Sequence, residues 1–321
     1  MARKMGEMMS EKTIRFFLTG GAGFIGSHLA DRLIKIGNVT VYDNLSSGRK
    51  EFIEHHLKSA RFEFVKGDLL DSSKLKKAIK DHDIVFHLSA NPDISYGIDH
   101  TDWDLKQETI ATYNVLESMR QNGIKKIAFS STSAVFGQPD KIPTSEDYGP
   151  LFPHSLYGAN KLACEGLISA YVETFGFQAW IFRFANIIGE RGTHGVLVDF
   201  INQLKQHPQE IEMLSDGTPN KNYLLVQECV EAMIFIFENA NESINLFNLA
   251  SLGQTTVDEI AKIVIKEMNL KDVQINKGRE KRGWPGDVTN MMLDTGKLSK
   301  LGWQSKYNST EAIKRATREV L

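Results

Sequence analysis

Tyr157 and Lys161 stand in a Tyr-x-x-x-Lys spacing within LYGANKLACEGLISAYVETFG. On a helix, residues four apart share a face, so the two side chains meet. An ammonium beside a phenol stabilises the phenolate and lowers its pKa. Such a tyrosine can take a proton from a hydroxyl near neutral pH. The same spacing also occurs as a plain surface pair, so its meaning depends on what accompanies it. Upstream, SSTSAVFG places Ser130, Ser131, Thr132 and Ser133 directly after the apolar run KKIAF. That puts a hydroxyl cluster at the carboxyl end of a strand, the edge where open parallel sheets hold ligands.

A second constellation lies near the start. Gly20, Gly23 and Gly26 fall in TGGAGFIGSHLADRL, immediately after IRFFL. Strand, glycine turn and helix in that order suit a dinucleotide pyrophosphate. Gly20 permits the turn, Gly23 lets the diphosphate approach, and Gly26 lets the helix pack on the sheet. The helix N-terminus then faces the phosphates. Asp43 ends VTVYD, about 20 residues further on, where a carboxylate bonds a ribose diol. It would repel a 2′-phosphate, so the expected cofactor is NAD, not NADP. A bound, positively charged nicotinamide would add to Lys161 in favouring tyrosinate.

These residues need a scaffold, and the chain alternates strand and helix patterns to supply one. TIRFFLTG, VTVYD, FEFVKGD, DIVFHLSA, KKIAFSST and AWIFRFANIIG read as strands. Helices are expected around GSHLADRLIKIG, Ser73–Lys80, Leu105–Gln121 and the segment carrying Tyr157. In Leu105–Gln121, Ile110, Tyr113, Leu116 and Met119 recur at helical spacing. Continuous apolar strands joined by helices predict an α/β fold, a doubly wound, mostly parallel, Rossmann-like sheet. After Gly189 the pattern is less regular. YLLV reads as a short strand, and INLFNLAS as a strand returning to the first sheet. Thr256 is a candidate helix N-cap, and Asn308 with Glu311 forms a capping-box spacing. The expected division is an NAD-binding domain at 12–189 completed by 223–251. A smaller, interleaved C-terminal substrate domain takes 190–222 and 252–321. The loops GERGTHG and GREKRGWPGD are placed to close over a ligand between them.

The composition excludes several classes. The 321 residues carry 38 basic and 40 acidic side chains, which leaves no nucleic-acid footprint. No apolar run is long enough to span a bilayer. Residues 1–11 are polar, lack a signal core, and read as a flexible tail; the expected location is cytoplasmic. Cys164 and Cys229 read as buried, reduced thiols. The histidines are scattered, with His55, His56 and His82 read as solvated, and no metal site is expected.

The segments TGGAGFIGSHL, VYDNLSSG, GDLLD, SSTSAVFG, YGANK, RFANIIG and GWPGDVTNMMLDTGKLSKLGW together resemble the extended short-chain dehydrogenase/reductase family. The resemblance covers residues 14–320 and is strongest to its nucleotide-sugar 4-epimerases. It implies tight NAD binding, a diphosphate-gripping smaller domain, and Thr132, Tyr157 and Lys161 as the catalytic group. It implies cofactor contacts from Gly20, Gly23, Phe24, Ile25 and Gly26, then Asp43, Asn44, Leu45, Ser47 and Gly48. Asp68 and Leu69, Leu88, Ser89 and Ala90, Ser130 and Ala185 complete that set with Tyr157 and Lys161. Substrate contacts are implied for Pro92, Thr132, Tyr157, Asn186, Gly195, Val196, Lys221, Tyr223 and Arg282. A homodimer is implied too, through Leu105–Gln121 and Leu156–Thr174.

Departures from the family pattern are informative. Family dehydratases resemble one another in a Thr-Asp-Glu run, and the decarboxylases in Thr-Ser-Glu. This chain has Thr132, Ser133 and Ala134, without the acids that elimination needs. Pro92 stands where galactose epimerases have lysine, and Glu108 replaces a cofactor-facing asparagine. Phe136 replaces a tyrosine, Lys221 a diphosphate-binding arginine, and Trp284 another arginine, for which Arg282 is the nearby substitute. The segment ANPDISYG resembles an archaeal and bacterial branch of UDP-glucose 4-epimerases. The implied reaction is reversible C4 epimerisation of UDP-glucose and UDP-galactose through a 4-keto sugar. A UDP-glucuronate or UDP-N-acetylhexosamine 4-epimerase is the alternative. A non-enzymatic NAD-binding scaffold is the reading from a different class.

Overall fold

The computed structural model describes residues 13–321, so the segment expected to be a flexible tail lies outside the described residues. Along the first half run β1 (Ile14–Thr19), α1 (Phe24–Leu33), β2 (Gly37–Asp43), β3 (Phe62–Lys66), α2 (Ser72–Ala78), β4 (Ile84–His87), α3 (Ala111–Gln121), β5 (Lys126–Thr132), α4 (Leu156–Phe175) and β6 (Gln178–Phe184). The chain continues through β7 (Asn186–Ile188), α5 (Val196–Gln206), β8 (Glu210–Met213), β9 (Asn220–Lys221), β10 (Tyr223–Leu225), α6 (Val226–Asn239) and β11 (Ile244–Leu249). It ends with β12 (Thr255–Thr256), α7 (Val257–Glu267), β13 (Gln274–Lys277), β14 (Asn290–Met291), α8 (Gly296–Leu301) and α9 (Ser309–Val320).

Seven strands form one sheet in the order β11-β6-β5-β4-β1-β2-β3. Every neighbouring pair is parallel. This is the expected doubly wound Rossmann-like sheet, with INLFNLAS returning as the edge strand β11. Alternation sorts its side chains onto two faces. On one face Phe16 and Leu18 join Phe86, Trp180 and Phe182 beneath α1 and α6. On the other, Phe17, Val85, Phe129 and Ile181 pack with Leu116, Met119 and Ile168 of α3 and α4. Strand order reverses between β1 and β4, which opens a crevice at their carboxyl ends. A separate apolar cluster joins α5, α7 and α9 through residues such as Phe200, Ile260 and Ile313. The anticipated capping box forms at Asn308 with Glu311, and Thr256, the anticipated N-cap, forms a second one with Glu259.

One helix departs from its expected form. Leu105–Ile110 winds as a π turn before α3 begins. The expected apolar stripe also divides, because a strict three-residue spacing drifts about 60° per step around an α-helix. Leu116 and Met119 are fully buried, while Ile110 and Tyr113 are 41% and 48% exposed. The same turn carries Glu108 inward.

Candidate active site

At the crevice lies a cavity of about 540 Å³, lined from both halves of the chain. Its cofactor side begins at Gly20, whose φ of +70° favours glycine and whose added Cβ would lie 2.7 Å from the Ser89 nitrogen. At Gly26 a Cβ would fall 2.1 Å from the Gly20 carbonyl oxygen, so only glycine lets α1 pack this close to the turn. Gly23 is the N-cap of α1 and faces the cavity. Asp43 sits at the end of β2, with Oδ2 accepting from the Ala22 amide at 3.0 Å and Oδ1 from the Leu45 amide at 2.8 Å. Burial pushes its carboxyl up, and those two amides pull it back. Asp68 accepts from the Asn44 amide group at 3.1 Å. A glycine cradle, a helix N-terminus and a carboxylate at the strand end fit a dinucleotide. Phe24, Ile25, Ser47, Gly48, Leu69, Leu88, Ser89, Ala90, Ser130 and Ala185 also line the cavity. Leu45 does not; it lies at the rim of the turn with φ +62°.

Tyr157 faces the cavity from the first turn of α4, beside Thr132 at the end of β5. Ser155 caps α4 by accepting from the Gly158 amide at 3.0 Å, and a Cβ at Gly158 would lie 2.7 Å from the Ala134 oxygen. That close approach joins helix and strand end. Lys161 does not line the cavity. It is fully buried one turn deeper, donates to the Ser130 carbonyl at 3.0 Å, and contacts Glu108 Oε2 at 2.9 Å. Its ammonium lies 5.7 Å from the Tyr157 ring centroid.

The expected acidification of Tyr157 by Lys161 is outweighed. The phenol is pushed up to about 12: burial raises it most, Lys161 pulls it down, Glu108 and Asp104 push it up, and a hydrogen bond with Thr132 pulls it down. Burial alone would discharge Lys161, but Glu108 and Tyr157 hold it protonated. His87 lies behind the group, between Thr19 Oγ1 at 2.7 Å and Thr112 Oγ1 at 3.0 Å. Burial, then the Lys161 charge, pushes it down to about 3, so it is neutral.

Opposite these groups, Pro92, Asn186, Gly195, Val196, Lys221 and Tyr223 line the cavity. Lys221 is paired with Asp287 at 2.7 Å. Arg282 is exposed and lies outside the lining, whereas Trp284, Gly286 and Asp287 of the same loop line it. Ala134 lines it too, so the position of the family's acidic residue holds a methyl group. Arg183 does not line the cavity; it enters a buried bidentate pair with Glu165, at 2.7 and 3.0 Å. Sequence reasoning missed Asp104 and Asn91 beside Glu108, because the π turn that gathers them has no spacing signal.

Two of the three histidines read as solvated differ from expectation. Both His55 and His56 direct Nε2 at Asp31 Oδ1, at 2.8 and 2.6 Å. Arg191 takes the other oxygen at 2.9 Å. Asp31 is thus already paired with a cation, and the cluster ties α1 to the loop after Gly189. His82 is half-buried, with Nε2 2.9 Å from Thr40 Oγ1. For His56 and His82 a tertiary partner distant in sequence replaces solvent, whereas the His55 side chain stays 47% exposed, as expected. Among the described residues, no helix is long and apolar enough to cross a membrane.

The sequence pattern of the NAD dependent epimerase/dehydratase family matches residues 16–250. A UDP-glucose 4-epimerase of Mycolicibacterium smegmatis is 30% identical over 312 residues, spanning 94% of this chain and 96% of that protein. UDP-glucuronic acid decarboxylase 1 of Arabidopsis thaliana is 31% identical over 319 residues, 96% of this chain and 70% of that protein. A solved structure of a UDP-galactose 4-epimerase superposes with a TM-score of 0.85 at 37% identity, covering 95% of this chain and 98% of that one. With a Rossmann-type dinucleotide site at the crevice of its parallel sheet, this chain belongs to the NAD dependent epimerase/dehydratase family.

Proposed function

We propose that the protein is an NAD-dependent nucleotide-sugar 4-epimerase, with UDP-glucose and UDP-galactose as its substrate pair. The observation that carries this reading is the pairing of Tyr157 and Thr132 at the cavity with Ala134 where elimination would need an acid. Held by the glycine turn and Asp43, NAD would supply the hydride acceptor and donor for C4. Tyr157 Oη takes the C4 hydroxyl proton and later gives it back. Thr132 binds the C4 oxygen and shortens the proton path. Lys161 holds its charge behind Tyr157. The 4-keto sugar turns over in the cavity and is reduced on its other face, so no second redox substrate is consumed.

Residues 12–189 with 223–251 would hold the cofactor, and 190–222 with 252–321 the nucleotide diphosphate. The carboxylate of Asp43 supports NAD over NADP. Ala134 weighs against the decarboxylase reading that the Arabidopsis thaliana relative would suggest. A panel of UDP-glucose, UDP-glucuronate and UDP-N-acetylglucosamine, with products separated by chromatography, tests the assignment. UDP-galactose from UDP-glucose is expected. Rapid turnover of another member without it would displace the preferred hexose, and pentose formation would overturn the reaction type.

A further inference from the structure

A buried charge array stands directly behind the proposed base. Lys161 has no solvent contact, and Glu108 is 1% exposed. Burial pushes the Glu108 carboxyl up, and the Lys161 ammonium at 2.9 Å pulls it back, in a low-dielectric setting where each charge acts strongly on its neighbours. Glu108 does not swing freely. Its Oε1 accepts from the Asn91 amide at 2.7 Å, which anchors the π turn to the segment after β4. Asn91 also donates through its side chain to Asp104 Oδ1 at 2.8 Å. Asp104 is fully buried, and its Oδ2 has no hydrogen-bond partner among the described residues. On the other side, the Ser130 carbonyl accepts from Lys161 at 3.0 Å. The ammonium is thus held between a carboxylate and a strand-end carbonyl.

We propose that Glu108 is a positioning residue: it clamps Lys161 against Ser130 and offsets the ammonium charge, so that Tyr157 acquires basicity only when a further positive charge, the oxidised nicotinamide, arrives beside it. The groups facing this array are Glu108 from the π turn and Asp104 just before it, Thr132 from β5 and Cys164 from α4, together with His87 from β4. His87 is neutral, so Lys161 is the cation in the set. The carboxylate that stands in place of the family's asparagine cancels it. Asparagine there would leave only Asp104 to oppose the Lys161 charge and Tyr157 more acidic in the free protein. With Glu108, the phenol keeps its proton until the cofactor is oxidised, and regains it once the nicotinamide is reduced. Proton transfer at C4 is thereby tied to hydride transfer.

The inference rests on the proposed function only in placing the nicotinamide beside Tyr157. Its test needs no sugar. The phenolate absorbance of Tyr157 is isolated by subtracting the pH titration of Tyr157→Phe from that of the parent, both stripped of cofactor. In the parent, Tyr157 is expected to titrate above the ordinary tyrosine value of about 10. In Glu108→Gln, the midpoint should fall by about 1–3 pH units, the range for exposing a group to an uncompensated opposite charge. Glu108→Asp, which keeps the charge, should stay near the parent. NAD added to the parent should lower the midpoint, and NADH should not. A purely structural Glu108 would change stability without moving the phenol. Parent titration at or below the ordinary value, or an unmoved midpoint in folded Glu108→Gln, overturns the proposal. Should Glu108→Gln fail to fold, Glu108→Asn carries the same expectation, and the parent titration with its NAD and NADH arms decides alone. A protein that epimerises nothing could pass this test, and an epimerase could fail it.

Discussion

Tyr157 owes its chemical position to neighbours that are small or polar. Gly158 brings α4 against Ala134, and Thr132 shares the strand end. Changing Tyr157 to phenylalanine keeps the ring packing and removes the proton acceptor. Turnover should fall about 10²–10⁴-fold, the usual contribution of a positioned general base, with fold and most NAD affinity kept. Product chromatography at saturating UDP-sugar measures it; near-parental turnover would remove Tyr157 from the mechanism. His87 provides a second test. Its folded-state pKa lies below the unfolded value, so its stabilising contribution is complete above the unfolded pKa and declines as pH falls toward about 3. Between about pH 6.5 and pH 5 the parent should lose about 2 kcal/mol through this residue. Burial raises the carboxyls of Asp43 and Glu108, which act in the opposite direction. Those contributions cancel when the parent is compared with His87→Gln, whose stability should fall less over the same interval. Urea unfolding at both pH values decides, and equal pH slopes would contradict the linkage.

At the scale of elements, the turn from β1 to α1 was legible because chemistry and spacing coincide. TGGAGFIG carries glycine wherever backbone must meet backbone or phosphate. Strand order was legible in kind, since continuous apolar strands alternating with helices leave few solutions. What stayed hidden was geometry made by long-range contact. The π turn at Leu105–Ile110 buries Glu108, and periodicity carries no sign of it. Lys221 keeps a positive charge in sequence, yet Asp287, 66 residues away, pairs with it in the fold. Arg282 and Trp284 lie two apart in sequence, but of the two only Trp284 lines the cavity. The close packing of α1 is testable at Gly26. Alanine should gain about 1 kcal/mol in helix propensity. It must also place a Cβ 2.1 Å from the Gly20 oxygen, which is backbone and cannot yield cheaply. Overpacking of this kind costs about 1–3 kcal/mol, so the clash should win. A lowered thermal midpoint and weaker NAD retention are expected for Gly26→Ala; unchanged values of both would show that the close packing is dispensable.

Across the whole molecule, one crevice gathers the glycine turn, the Tyr157 group and the loops after Gly189 and Lys277. The outer face of the π turn and α3 leaves Leu105, Ile110 and Tyr113 partly exposed, with Trp103 and Leu156 alongside. A second copy of the chain would cover them, which is the homodimer expected from the resemblance. Sedimentation at micromolar concentration should give twice the chain mass of 36.1 kDa. Tyr113→Glu should shift the protein toward monomer, and a parent that is already monomeric would refute the interface. The central claim concerns a redox cycle closed within one cavity, and an isotope label tests it most directly. UDP-galactose deuterated at C4 is incubated with the cofactor-loaded protein in the presence of excess unlabelled NADH, and the products are separated and weighed by mass spectrometry. The account predicts UDP-glucose that retains deuterium, because the hydride removed at C4 returns from the same bound cofactor. No UDP-glucose at all, or UDP-glucose that has exchanged its deuterium for hydrogen, would contradict it.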